Sequence, residues 1–429
     1  MSTSPANAFF LLDLAPLRTS REFRLLYMGQ FVSTFGAALS FVVLPWQMYQ
    51  LTQSTLHVGL LGLAEVGPML LLAFLGGSLA DAVDRRKLIL VAECGLAASC
   101  VLLFANALLP EPRVWLLYLG AACFSAFAAL HRPATESLTP RLVDPSQLPA
   151  VAALATFRSS FGHVVGPALA GIIADTFGAA PAFALNFGTY IVAIVTLLLM
   201  RSIPVPPGAA KPSLRAVADG LRYARTRPEL IGTYLVDIIP MFLAMPIALF
   251  PAMAPHYGTS VGYFFSALAL GSLLVTVSSG WTGRIHRHGL AIIVAVLFWG
   301  AAMIGFGLAS SLWAALACLM VAGGADCVSG IFRMTIWNQT IPDRMRGRMA
   351  SIEMMSYLTG PYLGSTQVGF TASLLGLRTG IACGGAACIV GVVALAFCLP
   401  AFWRYDSRAA LARKAREEAE AAARTASQA

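Results

Sequence analysis

The chain has 429 residues, of which 58% are hydrophobic and only 11% charged, with a mean hydropathy of +0.75. A soluble domain is about half apolar and about a quarter charged, so this composition excludes an ordinary water-soluble protein and requires apolar surface to meet lipid. A net charge of +9 would suit a nucleic-acid partner, but the bases follow a membrane topology instead, and no nucleic acid is expected.

Residues 1–23 are expected to form a cytoplasmic segment. The first apolar run starts after Arg21 and Arg24, is too long for a signal-peptide core, and lacks a small-residue cleavage site, so the first helix is expected to stay. Twelve mostly apolar segments have the length to cross a bilayer: 24–50, 57–80, 87–109, 114–138, 148–174, 180–200, 230–254, 260–282, 289–308, 312–336, 348–373 and 380–402. The fold class is therefore an all-α integral membrane protein with twelve transmembrane helices. They divide into a six-helix bundle at 24–200, a linker at 201–229, a second bundle at 230–403 and a cytoplasmic tail at 404–429. With the N-terminus inside, all Lys and Arg lie on the cytoplasmic side except Arg113 and Arg378 outside and Arg132, Arg158 and Arg333 within helices. That bias places both termini in the cytoplasm.

Between the second and third segments, "GGSLADAVDRRKLIL" concentrates two acids and three bases. All eight cysteines fall in apolar segments without CxxC spacing, the pattern of buried reduced thiols rather than a metal site. In the linker, "IPVPPGAAKP" cannot continue a helix, while "SLRAVADGLRYAR" is either an amphipathic helix on the inner membrane surface or a solvated connection. The halves echo each other. "GHVVGPALAG" in the fifth segment matches "YLTGPYLGS" in the eleventh, and Gly280 stands opposite Gly77, with Arg284 opposite Asp81. Parallel repeats of this kind are the mark of alternating-access transporters.

With these features the chain resembles the major facilitator superfamily over essentially its full length. The signature loop G-x-L-A-D-R-x-G-R-[KR] is matched by Gly77, Leu79, Ala80, Asp81, Arg85 and Arg86, and departed from at Ala82 and Asp84. "STLHVGLLG", "HRPATESLTPRLV", "GLRYARTRPEL" and "IPDRMRGRM" are similar to the branch containing enterobactin exporters and macrolide efflux proteins. The resemblance implies a gating motif of Gly77, Asp81, Arg85, Arg86, Arg141 and Glu353, with Asp81 pairing Arg141 and capping helix eleven. Gly162, Gly166, Pro167 and Gly171 partly match the family's antiporter motif in helix five, departing at Ala153 and Ala170. Those small residues either mark outward exchange or merely let helices approach closely.

An ionisable group inside a membrane costs at least a few kcal/mol and is a functional candidate by default. The candidates are Glu65, Glu93, Arg132, Arg158, His163, Asp237, Asp326 and Arg333. Proton coupling needs a buried carboxylate that changes sides, which points to Asp237, Asp326 and then Glu65; each is alternatively the neutralised partner of an Arg. Glu93 fits the neutralised partner of a nearby Arg better, and His163 a hydrogen-bonded packing role. The resemblance makes helices one, four, seven and ten the cavity lining, which adds Gln30, Gln47, Arg132 and Arg333 as substrate-cavity candidates. Asp326 and Arg333 are seven residues apart and share a helical face. Arg132 and Arg333 either attract an anion or pair with acids such as Glu136 and Glu353.

No HExxH or Walker A motif and no paired zinc ligands are found in the sequence, so neither an enzyme nor ATP drive is expected. The expectation is a monomeric secondary transporter of the bacterial inner membrane, with no cofactor and the proton gradient as energy source. It would export a small amphipathic organic compound, drug-like or siderophore, by alternating access. An importer or facilitator of a metabolite, or a non-transporting sensor on the same scaffold, are the other readings.

Overall fold

The computed structural model describes residues 13–82, 84–201, 222–223, 226–341 and 346–408, with side chains outside 73–82 and 346–358. Most of the linker, most of the tail and the loop at 342–345 lie outside the described residues, so the amphipathic-helix reading of 201–229 is not addressed.

The helices are α1 (Ala15–Thr19), α2 (Arg21–Thr52), α3 (Thr55–Ala82), α4 (Arg85–Ala107), α5 (Val114–Leu138), α6 (Leu148–Phe177) and α7 (Ala179–Leu199). After the linker come α8 (Pro228–Leu243), α9 (Phe250–Met253), α10 (Val261–Val277), α11 (His288–Leu308), α12 (Leu312–Thr340), α13 (Arg346–Leu375), α14 (Leu377–Cys398) and α15 (Pro400–Trp403). Every expected span contains a helix. Among the described residues nine helical stretches are long and apolar enough to cross a membrane, and Val261–Val277 is a shorter apolar helix. The seventh span is broken: α8 ends after Pro240, and Pro246 and Pro251, which lack N–H donors, punctuate a 3-10 turn at Ile247–Leu249 before α9. The eighth span closes with a 3-10 segment at Ser279–Arg284.

By contacts the chain forms two units, Met1–Leu44 with Gly67–Lys211 and Pro45–Val66 with Pro212–Ala429. Within the first, α4 packs on α5 and α7; within the second, α11 packs on α12 and α14. The third helix of each half thus lies on the fourth and the sixth, as a repeated fold requires. Large apolar side chains face outward, with Val277 and Phe397 each 80% exposed, while Glu93 and Asn186 are fully buried. This inverts the pattern of a soluble protein and fits a chain whose outer solvent is lipid.

Residues 45–66 join the second unit through small side chains. A Cβ on Gly59 would meet the Ser365 carbonyl at 2.7 Å, and Thr366 Oγ1 donates to Gly59 O at 2.9 Å. Thr55 Oγ1 donates to Gly369 O at 3.2 Å, so hydroxyls and absent side chains lock α3 to α13 at van der Waals distance.

Candidate functional site

In the second unit, α8 and α12 face each other through two pairs spaced four residues apart, Thr233 with Asp237 and Arg333 with Trp337. Trp337 Nε1 donates to Thr233 Oγ1 at 2.8 Å, and the Arg333 guanidinium forms an ion pair with Asp237. Both charges are buried, with side-chain exposures of 9% and 7%. Asp326, two turns before Arg333 on the same face of α12, places Oδ1 4.0 Å from Arg333 Nη2. Its side chain is 41% exposed, so this carboxylate is the more open of the two. One guanidinium therefore stands between a carboxylate it holds closely and a second it reaches only at the limit of an ion pair. Such a group responds to protonation of the second carboxylate.

Gln47 and Glu65 belong to the same unit. Gln47 is 5% exposed and its Oε1 is buried with no hydrogen-bond partner among the described residues. Glu65 is half-buried on α3. An apolar groove of about 710 Å³ opens among α10, α11 and α12, with Leu274, Val294, Phe298 and Met320 in its lining and Arg287 as its charged member. Met48 and Trp299 are core residues, at 0% and 2% exposure.

In the first unit, Gln30 does not offer a free amide. Its Nε2 donates to Glu93 Oε1 at 3.2 Å and lies 3.0 Å from His131 Nε2, which is itself 3.0 Å from Glu93 Oε1. Sequence reasoning made Glu93 the neutralised partner of an Arg and passed over His131. The signal was there: Glu93 lies eight residues after the start of α4 and His131 seven before the end of α5, on adjacent antiparallel helices at one depth. Arg132, next along, pairs through Nε with Glu136 Oε1 at 2.9 Å, and the side chains are 53% and 67% exposed.

Five aromatic rings run between α2 and α6. Phe23 and Tyr27 have centroids 5.9 Å apart, Tyr27 and Phe31 6.2 Å, and Phe31 stacks on Phe161 at 5.4 Å and on Phe157 at 6.3 Å. Half-buried Arg158 lies within electrostatic reach of Tyr27, and its Nε is buried without a hydrogen-bond partner among the described residues. Gly162 and Gly166 permit this closeness: a Cβ on Gly166 would meet Ala38 Cβ at 2.5 Å, and one on Gly162 would meet Thr34 Cγ2 at 3.0 Å. Pro167 and Gly171 are buried on the same helix. His163 is exposed and donates from Nδ1 to Ser159 O at 2.7 Å.

Of the expected gating residues, Gly77, Asp81 and Glu353 lie outside the described side chains. Arg141 is exposed in the 3-10 turn Thr139–Arg141. Arg85 donates from Nε to Ser137 Oγ at 2.9 Å, joining α4 to α5. Arg86 donates from Nε to Leu197 O at 2.7 Å and from Nη2 to Leu198 O at 2.9 Å, closing the C-terminus of α7. Asp84 caps α4 by accepting from Arg86 N at 3.0 Å. Arg86→Gln is expected to cost about 1–2 kcal/mol, the worth of charge-assisted bonds at a half-exposed position, and thermal unfolding of the purified protein checks it. An unchanged melting temperature would remove Arg86 from the scaffold.

A family model described as transmembrane secretion effector matches residues 12–425. Over 390 residues the chain is 28% identical to the enterobactin exporter EntS of Shigella boydii serotype 18, covering 90% of this chain and 94% of that protein. The same values hold for EntS of Escherichia coli O1:K1. Among solved structures, the nucleoside transporter NupG is similar with a TM-score of 0.71 at 12% identity, over 90% of this chain and 100% of that one. A bacterial homolog of the human lysosomal transporter Spinster, inward-facing and unoccupied, has a TM-score of 0.69 at 15% identity, over 92% and 97%. At those identities the solved structures bear on the fold alone.

Proposed function

The chain belongs to the transmembrane secretion effector family of major facilitator transporters, and from that premise we propose that it exports a small aromatic, anionic compound of the siderophore type in exchange for protons. It is a multi-pass membrane transporter and not an enzyme. In this reading it works as a monomer in the bacterial inner membrane with both termini in the cytoplasm.

The observation that carries the substrate class is the aromatic ladder with Arg158. Phe157 and Phe161 stack on Phe31 yet remain 43% and 38% exposed, so ring faces and edges are left for a further aromatic group. The Arg158 cation beside them supplies the charge that an anionic aromatic compound needs. In this reading Phe31, on the first helix that the family resemblance makes part of the substrate path, lies along that route. Full-length similarity to proteins named as enterobactin exporters agrees with an aromatic metal-chelating cargo. Drive by protons is supported by Asp326, a carboxylate on a membrane helix that Arg333 only partly neutralises.

Enterobactin is the probe for the test. Energised inverted vesicles containing the protein are expected to accumulate it, and a protonophore to abolish the accumulation. Phe161→Ala is expected to raise KM up to about tenfold with kcat little changed, the worth of one aromatic contact. Accumulation equal to that of vesicles without the protein would reject this cargo, and accumulation indifferent to the protonophore would reject proton exchange.

A further inference from the structure

We infer that Glu93, His131 and Gln30 form a proton-binding centre in the first unit, separate from the Asp326 carboxylate of the second. The inference rests on the proposed proton exchange for its use in transport, but the site stands on its own geometry.

Glu93 is fully buried, and its side chain has 0% exposure. Its Oε2 has no hydrogen-bond partner among the described residues, so both neighbours converge on Oε1. Three polar atoms thus form a triangle with sides of 3.2, 3.0 and 3.0 Å: Gln30 Nε2, Glu93 Oε1 and His131 Nε2. The amide nitrogen brings two hydrogens and the carboxylate oxygen only lone pairs. The imidazole nitrogen brings either a hydrogen or a lone pair.

With no added proton, the neutral imidazole either donates from Nε2–H to the ionised Glu93 or, as the Nδ1–H tautomer, faces it lone pair against lone pair; in both cases a buried negative charge is left uncompensated. One added proton between Oε1 and Nε2 removes that charge. It resides on Oε1 and is donated to Nε2, or on Nε2 and is donated to Oε1, and in either arrangement the centre is neutral. A second proton would leave a buried cation with no carboxylate to meet it. The centre therefore takes up and gives back one proton.

Access and reporting are divided among the same residues. The His131 side chain is 16% exposed while Glu93 is sealed, so the imidazole is the entry and the carboxyl the store. Gln30 lies on α2, and its amide can donate to His131 only when Nε2 is bare. Movement of α2 therefore changes which group keeps the proton, and proton transfer changes how Gln30 is held.

Charged and titratable neighbours do not supply a competing partner. On α7, buried Tyr190 is electrostatically coupled to Glu93 and to Cys100 of α4, and neither is a cation at neutral pH. On α5, Arg132 pairs with exposed Glu136. On α6, Arg158 is turned to Tyr27 and His163 to its own backbone.

Infrared difference spectra of the purified protein, stepped from about pH 5 to pH 9 across the range where imidazoles and buried carboxyls titrate, test this without any substrate. The wild type is expected to show a protonated-carboxyl stretch that changes with pH, disappears in Glu93→Gln and is altered in His131→Gln. Glu93→Gln keeps the shape of the side chain, and circular dichroism confirms its fold. Superimposable spectra of wild type and Glu93→Gln, or a Glu93 band that ignores pH, would overturn the centre. In proteoliposomes, Glu93→Gln is expected to keep enterobactin counterflow and lose about tenfold of the acceleration given by a pH gradient. Full gradient acceleration in that variant would overturn its role in coupling. If the wild type does not move enterobactin at all, the export reading fails while the infrared result still decides the site.

Discussion

Purified Asp237→Ala protein is expected to be less stable than the wild type by about 3–5 kcal/mol, the cost of leaving one member of a buried ion pair without its counter-charge. Arg333 and Asp237 have side-chain exposures of 9% and 7%, so water cannot replace the lost carboxylate. Asp326 is a poor replacement, since its oxygen stands 4.0 Å from the guanidinium. The Trp337 to Thr233 bond, one turn along both helices, would loosen with the pair. Removing both charges together, as Asp237→Ala with Arg333→Leu, is expected to recover most of the loss because no buried charge then remains uncompensated. Thermal unfolding in detergent measures both. If the single variant melts with the wild type, the pair does not hold α8 to α12.

Asp326→Asn is expected to do the reverse, leaving the fold intact and removing at least about tenfold of gradient-driven enterobactin uptake into inverted vesicles. The amide has the shape of the protonated acid and cannot give up a proton, so Arg333 stays with Asp237 throughout the cycle. A partly exposed carboxylate contributes little to stability, which is why its loss and that of Asp237 separate in the two assays. Counterflow, which needs no net proton movement, is expected to continue. Wild-type gradient-driven uptake by Asp326→Asn would remove this residue from coupling, whatever the outcome at Glu93.

The two carboxylates of this site show what could be read from the chain. Their presence inside apolar segments, and the seven-residue spacing of Asp326 and Arg333, are facts of one helix and were legible directly. Which of Asp237 and Asp326 is the tightly held counter-ion depends on how α8 lies against α12, and no spacing along the chain reports that. Gln30 is a similar case. Its place on the first helix suggested a substrate contact, but its amide bonds Glu93 and lies beside His131, residues 63 and 101 positions away.

Sequence by itself determined the number, order and approximate ends of the membrane helices, because a bilayer imposes a fixed apolar length on each segment and most charges fall in the turns. The 114–138 span agrees with α5 at both ends, and the prolines at 246 and 251 explain where the seventh span departs from one continuous helix. Sequence also determined the family, since the loop from Gly77 to Arg86 and the Gly-Pro segments are local patterns. Only the tertiary structure decided which buried charges compensate one another, that His131 completes a centre with Glu93, and that Arg86 closes α7 rather than standing free in its loop. Those outcomes depend on side chains brought within about 3–4 Å from separate helices, where the interior strengthens each polar contact and penalises each one left unmade.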